Sequence, residues 1–336
     1  MGNRSDAAAK GLGGDQVEGR QAVRELLLAG TRRTREVLLA GDLDPAPILD
    51  DIIDLADEAK VTIREVSRSK FESMAHTHAP QGVLAMAQPL YEHDLEDLLR
   101  ADAQGRDPFL LLLDGVTDPG NLGAILRSAE CAGVTGVVLP RHRAAGVTAA
   151  VAKSAAGAIE HLRMTRVAGL PKAMARLADA GVWTVGLDVG GDAAIHELTV
   201  ADQPVALVLG AEGSGLSRLV RERCDTIAYI PLGGVLGSLN VSAAAAIALF
   251  EVARRRGLPL VNIFHPDATL NENAGPYQGL DRSEARERIV EQLGQAQDVA
   301  LTLGGLGDAL LHEQWEQIVT AAHEAGVLGI AIETDL

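Results

Sequence analysis

The chain has 336 residues, of which 47% are apolar, 3% aromatic and 23% charged, and its formal net charge is −16. That length suits two domains and a further piece, and cores so poor in aromatic rings must be built from Ala, Val, Leu and Ile, as in buried parallel strands covered by Ala-rich helices. Two distant cysteines, Cys131 and Cys224, speak against zinc and iron–sulfur centres, so no metal is expected, and no apolar run approaches the roughly 18–20 residues of a membrane span.

The reduced cysteines and the missing span together suit a cytoplasmic protein. The charge is unevenly placed: residues 259–336 carry 13 acids against 3 bases, and residues 1–258 carry 33 against 27. Phosphate contacts need Lys and Arg, so any nucleic-acid surface must be a local patch on a mildly acidic body.

In chain order, residues 1–16 are small, polar and Gly-rich and read as a disordered leader. They lack a signal-peptide core, and Asp6 stands where a myristoylation pattern wants Ser or Thr. Residues 17–88 form a compact α/β pattern. Val23, Leu26 and Leu27 recur at helical spacing, 37–39 reads as a strand and 48–59 as a helix, and 61–63 and 82–85 read as short strands. Residues 89–107 are acidic and polar and suit a linker.

A second α/β unit spans 108–258. A continuous apolar strand at 109–113 is followed by Leu122, Ile125, Leu126 and Ala129 at i, i+3, i+4 and i+7, one face of a helix. Strands at 136–139, 183–187, 205–209 and 227–231 and helices at 171–180 and 241–255 continue the alternation, which implies a mainly parallel sheet. Residues 259–336 repeat it as an acidic α/β extension, with helices at 283–293 and 314–325 and strands at 298–303 and 327–332.

Three segments of the second unit carry chemistry. The first runs from Asp114 to Arg127 and joins a buried strand to a helix, a place where ligands gather in open α/β sheets. Asn121 lies near the helix start and Arg127 projects off the apolar face about two turns on. A helix cap and a solvated arginine explain them equally well. The second segment, Leu209-Gly210-Ala211-Glu212-Gly213-Ser214-Gly215, again opens a strand into a Gly-rich turn whose N–H groups could hold a carboxylate or ribose hydroxyls. It is neither a dinucleotide fingerprint nor a P-loop, and Glu212 alone could simply favour a helix N-terminus. The third runs from Ile230 through Leu232, Ser238, Leu239 and Asn240 to Ser242. Its apolar residues could wall an adenine or belong to a core, and Ser238 or Asn240 could cap the Ala-rich helix that follows.

Taken together, the three segments resemble the SpoU (TrmH) family of the SPOUT superfamily, and most of all its 23S rRNA guanosine-2′-O-methyltransferase branch. The likeness runs through Asn121-Leu122-Gly123-Ala124-Ile125-Leu126-Arg127, Leu209-Gly210-Ala211-Glu212-Gly213 and Ser238-Leu239-Asn240-Val241-Ser242, with Lys153-Ser154-Ala155-Ala156-Gly157-Ala158 matching a further stretch. Gly19-Arg20-Gln21-Ala22-Val23 and His78-Ala79-Pro80-Gln81-Gly82-Val83 resemble the family's N-terminal L30e-like substrate-binding domain, although the family reads His-Gln-Gly where Ala79-Pro80 is inserted here.

The resemblance implies an α/β fold with a trefoil-knotted parallel-sheet methyltransferase domain, an L30e-like domain before it and the α/β extension after it. It implies S-adenosylmethionine held at Leu209, Gly210, Gly213, Ile230, Leu232 and Leu239, and a catalytic and structural polar set of Asn121, Arg127, Glu212, Ser238 and Asn240. It also implies an RNA substrate and a homodimer. A guanidinium is a poor base, so Arg127 is expected to orient and electrostatically activate a ribose 2′-hydroxyl, with Asn121 in support. For RNA contact the candidates are Arg20 and Arg24, in a cluster with Arg32, Arg33 and Arg35, and Arg141 and Arg143 beside His142; a solvated charged face is the plainer reading of either cluster. Methylation of a tRNA ribose and a catalytically silent RNA-binding protein are the competing functions. In the extension, residues 298–308 resemble a strand and Gly-rich turn of radical-SAM barrels, but the Cys motif of those enzymes is missing.

Overall fold

The computed structural model describes residues 11–257 apart from 42, 143 and 236, together with the strands at 300–303 and 329–332. The chain divides into two compact units, Met1–Leu258 and Pro259–Leu336.

The first unit begins with a small sheet. In chain order come β1 (Gln16–Glu18), α1 (Arg20–Ala29), β2 (Thr34–Ala40), α2 (Pro47–Glu58), β3 (Thr62–Val66), α3 (Arg68–Met74) and β4 (Val83–Ala87). The strand order is β1-β4-β2-β3; β4 runs antiparallel to both neighbours, and β2 and β3 are parallel. Helix α1 forms because Ala22, Val23, Leu26 and Leu27 share one buried face. It stops at Gly30, whose left-handed φ of 56° lets its N–H return to the Leu26 carbonyl.

Two stretches are more ordered than their composition suggests. Residues 1–10 of the expected leader lie outside the described residues, but 11–16 are structured. Leu12 is buried, its N–H donates to the Leu90 carbonyl at 3.0 Å, and the Leu90 N–H donates to the Gly13 carbonyl at 2.9 Å. One leucine among glycines is too weak a local signal to show this; its partner lies 78 positions away. The acidic 89–107 connection carries a short helix, α4 (Leu95–Leu98), and buries Leu90, Leu95 and Leu98.

The larger sheet follows. Its elements are β5 (Phe109–Asp114), α5 (Pro119–Cys131), β6 (Gly136–Pro140), α6 (Ala149–Ser154), β7 (Met164–Val167), α7 (Leu170–Asp179), β8 (Trp183–Leu187), β9 (Ala193–Ala194), β10 (Val205–Gly210), α8 (Arg218–Arg221), β11 (Thr226–Tyr229) and α9 (Val241–Arg255). The strand order is β7-β6-β5-β10-β8-β11-β9, and each pair is parallel. The continuous apolar runs are explained by burial on both faces. Phe109, Leu111 and Leu113 join the core with α1, α5 and α9, while Leu110 and Leu112 join a second core with α4, α7 and α8. Strands β7 and β9 and helices α3, α6 and α8 carry no clear sequence signal, because segments this short hold too few apolar repeats to reveal a period.

A buried ion pair ties the two sheets together. Arg32, just before β2, meets Glu160 in a bidentate contact with N–O distances of 2.6 and 2.8 Å, and its remaining nitrogen donates to the Gly14 and Gln88 carbonyls. The sequence places Arg32 in an arginine cluster that suits either a solvated face or RNA contact. Its side chain is only 5% exposed, so it is a strut rather than a phosphate ligand.

In the second unit, β12 (Ala300–Leu303) and β13 (Gly329–Ile332) pair in parallel, within the two expected strand regions. The two helices expected there lie outside the described residues. Among the described residues no helix is long and apolar enough to cross a membrane.

Candidate active site at the carboxyl ends of the central strands

Strands β5 and β10 are neighbours at the centre of the sheet, in register from Phe109 and Val205 to Asp114 and Gly210. From β5 the chain passes to β6 on one side, and from β10 it passes to β11 on the other. The loops beyond their carboxyl ends therefore diverge and leave a crevice, the usual ligand position in an open parallel sheet.

Three separated residues meet at this crevice. Asn121 Nδ2 donates to Glu212 Oε1 at 2.7 Å. Asn240 Nδ2 donates to the same oxygen at 2.9 Å and to Asn121 Oδ1 at 3.1 Å. The orientation of the Asn240 amide follows from its second task. Its carbonyl oxygen caps α9, accepting the Ser242 N–H at 2.8 Å and the Ser242 hydroxyl at 2.6 Å, so its NH₂ must face the other two residues. Asn121 itself is no cap. Asp118 takes that role and accepts the Asn121 N–H at 2.7 Å, three positions into the motif.

The turn that carries Glu212 is closed by Ala211 and Gly215, which exchange backbone hydrogen bonds of 3.1 and 2.9 Å. Gly210 is required here, because a Cβ on it would fall 2.1 Å from the Gly215 carbonyl carbon. Asp114 braces the turn from β5, its carboxylate accepting the Ser217 N–H at 2.7 Å. The N–H groups of Glu212, Gly213 and Ser214 have no partner among the described residues. Across the crevice, the loop before α9 leaves Leu232 and Leu239 39% and 41% exposed, and Ile230 packs partly against the core. Leu209 points into that core at 1% exposure, so only its backbone can face a ligand.

The remaining candidates stand apart. Ser238 is exposed and makes no hydrogen bond among the described residues. Arg127 is exposed six residues beyond Asn121 on α5, about 9 Å along a helix axis, and makes no hydrogen bond or ion pair with the described residues. Among the RNA candidates, Arg20 bonds the Gln81 carbonyl and Arg24 pairs with Asp51 and Glu25. Arg141 is exposed and sits 3.5 Å from Glu92, and Arg143 lies outside the described residues. Sequence reasoning missed Asp118 and Asp114, which orient the motif residues. An Asp-Pro at a helix start is a cap signal that points to Asp118; Asp114 shows nothing until the register brings it beside the turn.

A parallel α/β domain with a polar trio at its switch point, preceded by a small mixed sheet, defines a class shared with known proteins. The model of the SpoU rRNA methylase family matches residues 108–250, and that of the RNA 2′-O ribose methyltransferase substrate-binding domain matches 16–93. The 23S rRNA (guanosine-2′-O-)-methyltransferase RlmB of Photobacterium profundum is 40% identical over 253 residues, which cover 73% of this chain and 99% of that protein. An uncharacterized tRNA/rRNA methyltransferase of Synechocystis, slr0955, is 41% identical over 62% of this chain, which spans 55% of that protein's length. In structure, the SpoU methyltransferase AviRb of Streptomyces viridochromogenes, crystallised with AdoMet, aligns with a TM-score of 0.59 and 26% identity over 72% of this chain and 89% of its own. The chain belongs to the SpoU rRNA methylase family.

Proposed function

We propose that the chain transfers a methyl group from S-adenosylmethionine to a ribose 2′-hydroxyl of RNA, specifically a guanosine of 23S rRNA. The observation that carries this reading is the Asn121–Glu212–Asn240 trio, which joins the three motif segments at one crevice. Similarity to RlmB along nearly that protein's full length supports the guanosine target.

The crevice suits the donor's chemistry. Half-exposed Leu232 and Leu239 offer apolar faces for an adenine, and the unpartnered N–H groups at 212–214 suit a carboxylate or ribose hydroxyls. Bound there, the donor supplies an electrophilic sulfonium methyl group. Arg127 orients the 2′-hydroxyl with its guanidinium and stabilises the negative charge that grows on the oxygen as its proton passes to water and the methyl carbon moves from sulfur to that oxygen, leaving a neutral thioether. Asn121 and Asn240 hold the Glu212 carboxylate and, through it, the turn that would hold the donor. Ser238 completes the rim. A homodimer, the trefoil knot and a cytoplasmic setting belong to the same reading, and light scattering tests the oligomeric state.

Arg127→Ala is expected to reduce methyl transfer to rRNA by roughly 100- to 1,000-fold, the scale of losing one charge-stabilising group, while calorimetric donor affinity stays within about twofold. Full activity in that variant would overturn the assignment. Mass mapping of rRNA and tRNA from a deletion strain identifies the nucleotide; a missing methyl group in tRNA alone would replace the rRNA target.

A further inference from the structure

One cavity of the first unit, about 1290 Å³, lies away from the trio. It opens where the 88–96 connection runs beside the edge strand β7, bounded by β2 on one side and α7 on the other. The His93 N–H donates to the Met164 carbonyl at 2.9 Å, which fixes the connection along that edge. Seven Lys and Arg side chains line the cavity against four carboxylates, a reversal of sign in a chain of net charge −16.

Most of those carboxylates are already matched. Glu160 is buried against Arg32, Glu92 bridges Arg166 and Arg141, and Glu96 pairs with Arg176, which leaves Asp94. Arg35 and Lys172 are exposed and form no ion pair among the described residues. Arg163 is bonded to the Thr135 and Asp97 carbonyls, which do not neutralise it. Tyr91 lines the same cavity and is 68% exposed, in a chain that is only 3% aromatic. The His93 ring meets it edge-on at 4.8 Å and 88°, which presets the tyrosine's orientation and leaves its ring open to solvent. Burial and the nearby Arg163 hold the His93 imidazole below its ordinary pKa.

An exposed aromatic ring among unneutralised cations is the chemistry that grips unpaired nucleotides: the ring stacks a base of any sequence and the cations meet the flanking phosphates. We propose that this cleft is a second RNA-binding site, in which Tyr91 stacks one unpaired base and Arg35 and Lys172 hold the adjoining phosphates. It rests on the reading of the chain as an RNA methyltransferase and adds a grip on substrate away from the reacting ribose.

The probe is a fluorescein-labelled oligouridine of roughly 12 nucleotides, bound by the full chain. Tyr91→Ala is expected to raise its Kd about tenfold and Tyr91→Phe by no more than about twofold, since the ring alone stacks. Arg35→Gln with Lys172→Gln is expected to lower the slope of log Kd against log salt by roughly 1.4, two single-strand phosphate contacts. All three variants should keep the wild-type melting temperature and donor affinity. Wild-type oligouridine binding in Tyr91→Ala and in the double variant would overturn the proposal, as would displacement of the probe by polyglutamate as readily as by unlabelled RNA, which would mark an acidic-peptide site. Methyl transfer is measured on the same preparations. If wild-type protein methylates rRNA while no variant changes binding, the cleft falls and the activity stands; if oligouridine binding responds to the variants but rRNA is never methylated, the cleft stands and the activity falls.

Discussion

Asn121 and Asn240 both sit where a helix cap would explain them, and only Asn240 is a cap. At that residue the two readings are compatible: the carbonyl end of the amide serves α9, which forces the NH₂ end toward Glu212 and Asn121. Glu18 shows the same economy outside the motifs. It is fully buried in β1 and accepts hydrogen bonds from the Gln16 amide, the His76 and Thr77 N–H groups and the Thr77 hydroxyl. Burial alone would raise its pKa, but these donors together hold it below the ordinary 4.5. A carboxyl depressed in the fold stabilises above its unfolded value and loses that contribution as pH falls through the folded value. The first unit should therefore weaken on the acid side of 4.5. Glu18→Gln is expected to cost about 2–4 kcal/mol at neutral pH and to flatten that acid limb. Urea unfolding across pH checks both, and an unchanged acid limb in the variant would assign the effect elsewhere.

Among the elements, the contact between α6 and the loop before β4 links the small sheet to the candidate site. Lys153, in the last turn of α6, donates to the His78 and Ala79 carbonyls, the second at 2.6 Å. That loop is strained, with Ala79 and Gln81 at φ of 54° and 57°, and Ala156 just past α6 lies at 49°. The next residue, Ser154, donates to the Gly120 carbonyl at 2.9 Å, one position before Asn121. Lys153→Met should release the 78–82 loop and lower kcat/KM for rRNA about tenfold, chiefly through KM, the scale of a charged hydrogen bond. Lys153→Arg should recover part of the loss, since a guanidinium also donates to carbonyls. Steady-state kinetics with unchanged donor affinity would support this; equal loss in both variants would count against a positioning role. The Lys153–Ala158 stretch was visible as a motif, but nothing in it names the carbonyls it reaches.

In the whole first unit, the Arg32–Glu160 pair joins two sheets that also share one apolar core. Removing the arginine strands a fully buried carboxylate, so Arg32→Ala is expected to cost about 3–5 kcal/mol. Wild-type protein should unfold the first unit in one transition, and the variant should shift that midpoint or split it into two. A variant with the wild-type midpoint would show that the pair contributes nothing net. Arg32 lies in a run of arginines with no apolar neighbour to suggest burial, and its partner is 128 residues away.

The alternation of strands and helices, the buried parallel runs and the three Gly-rich segments were legible in the sequence, because periodicity and turn chemistry are local properties. A mainly parallel α/β sheet follows from them, whereas Asn121, Glu212 and Asn240 were joined as one polar set only by the family resemblance. Only the tertiary structure decided which arginines are struts and which are exposed, that Leu12 and the acidic connection are anchored, and which residues line the cleft around Tyr91. Each of those depends on partners tens to more than a hundred residues apart, and side chains of the same type are sorted between core, ion pair and solvent only when the chain closes on itself.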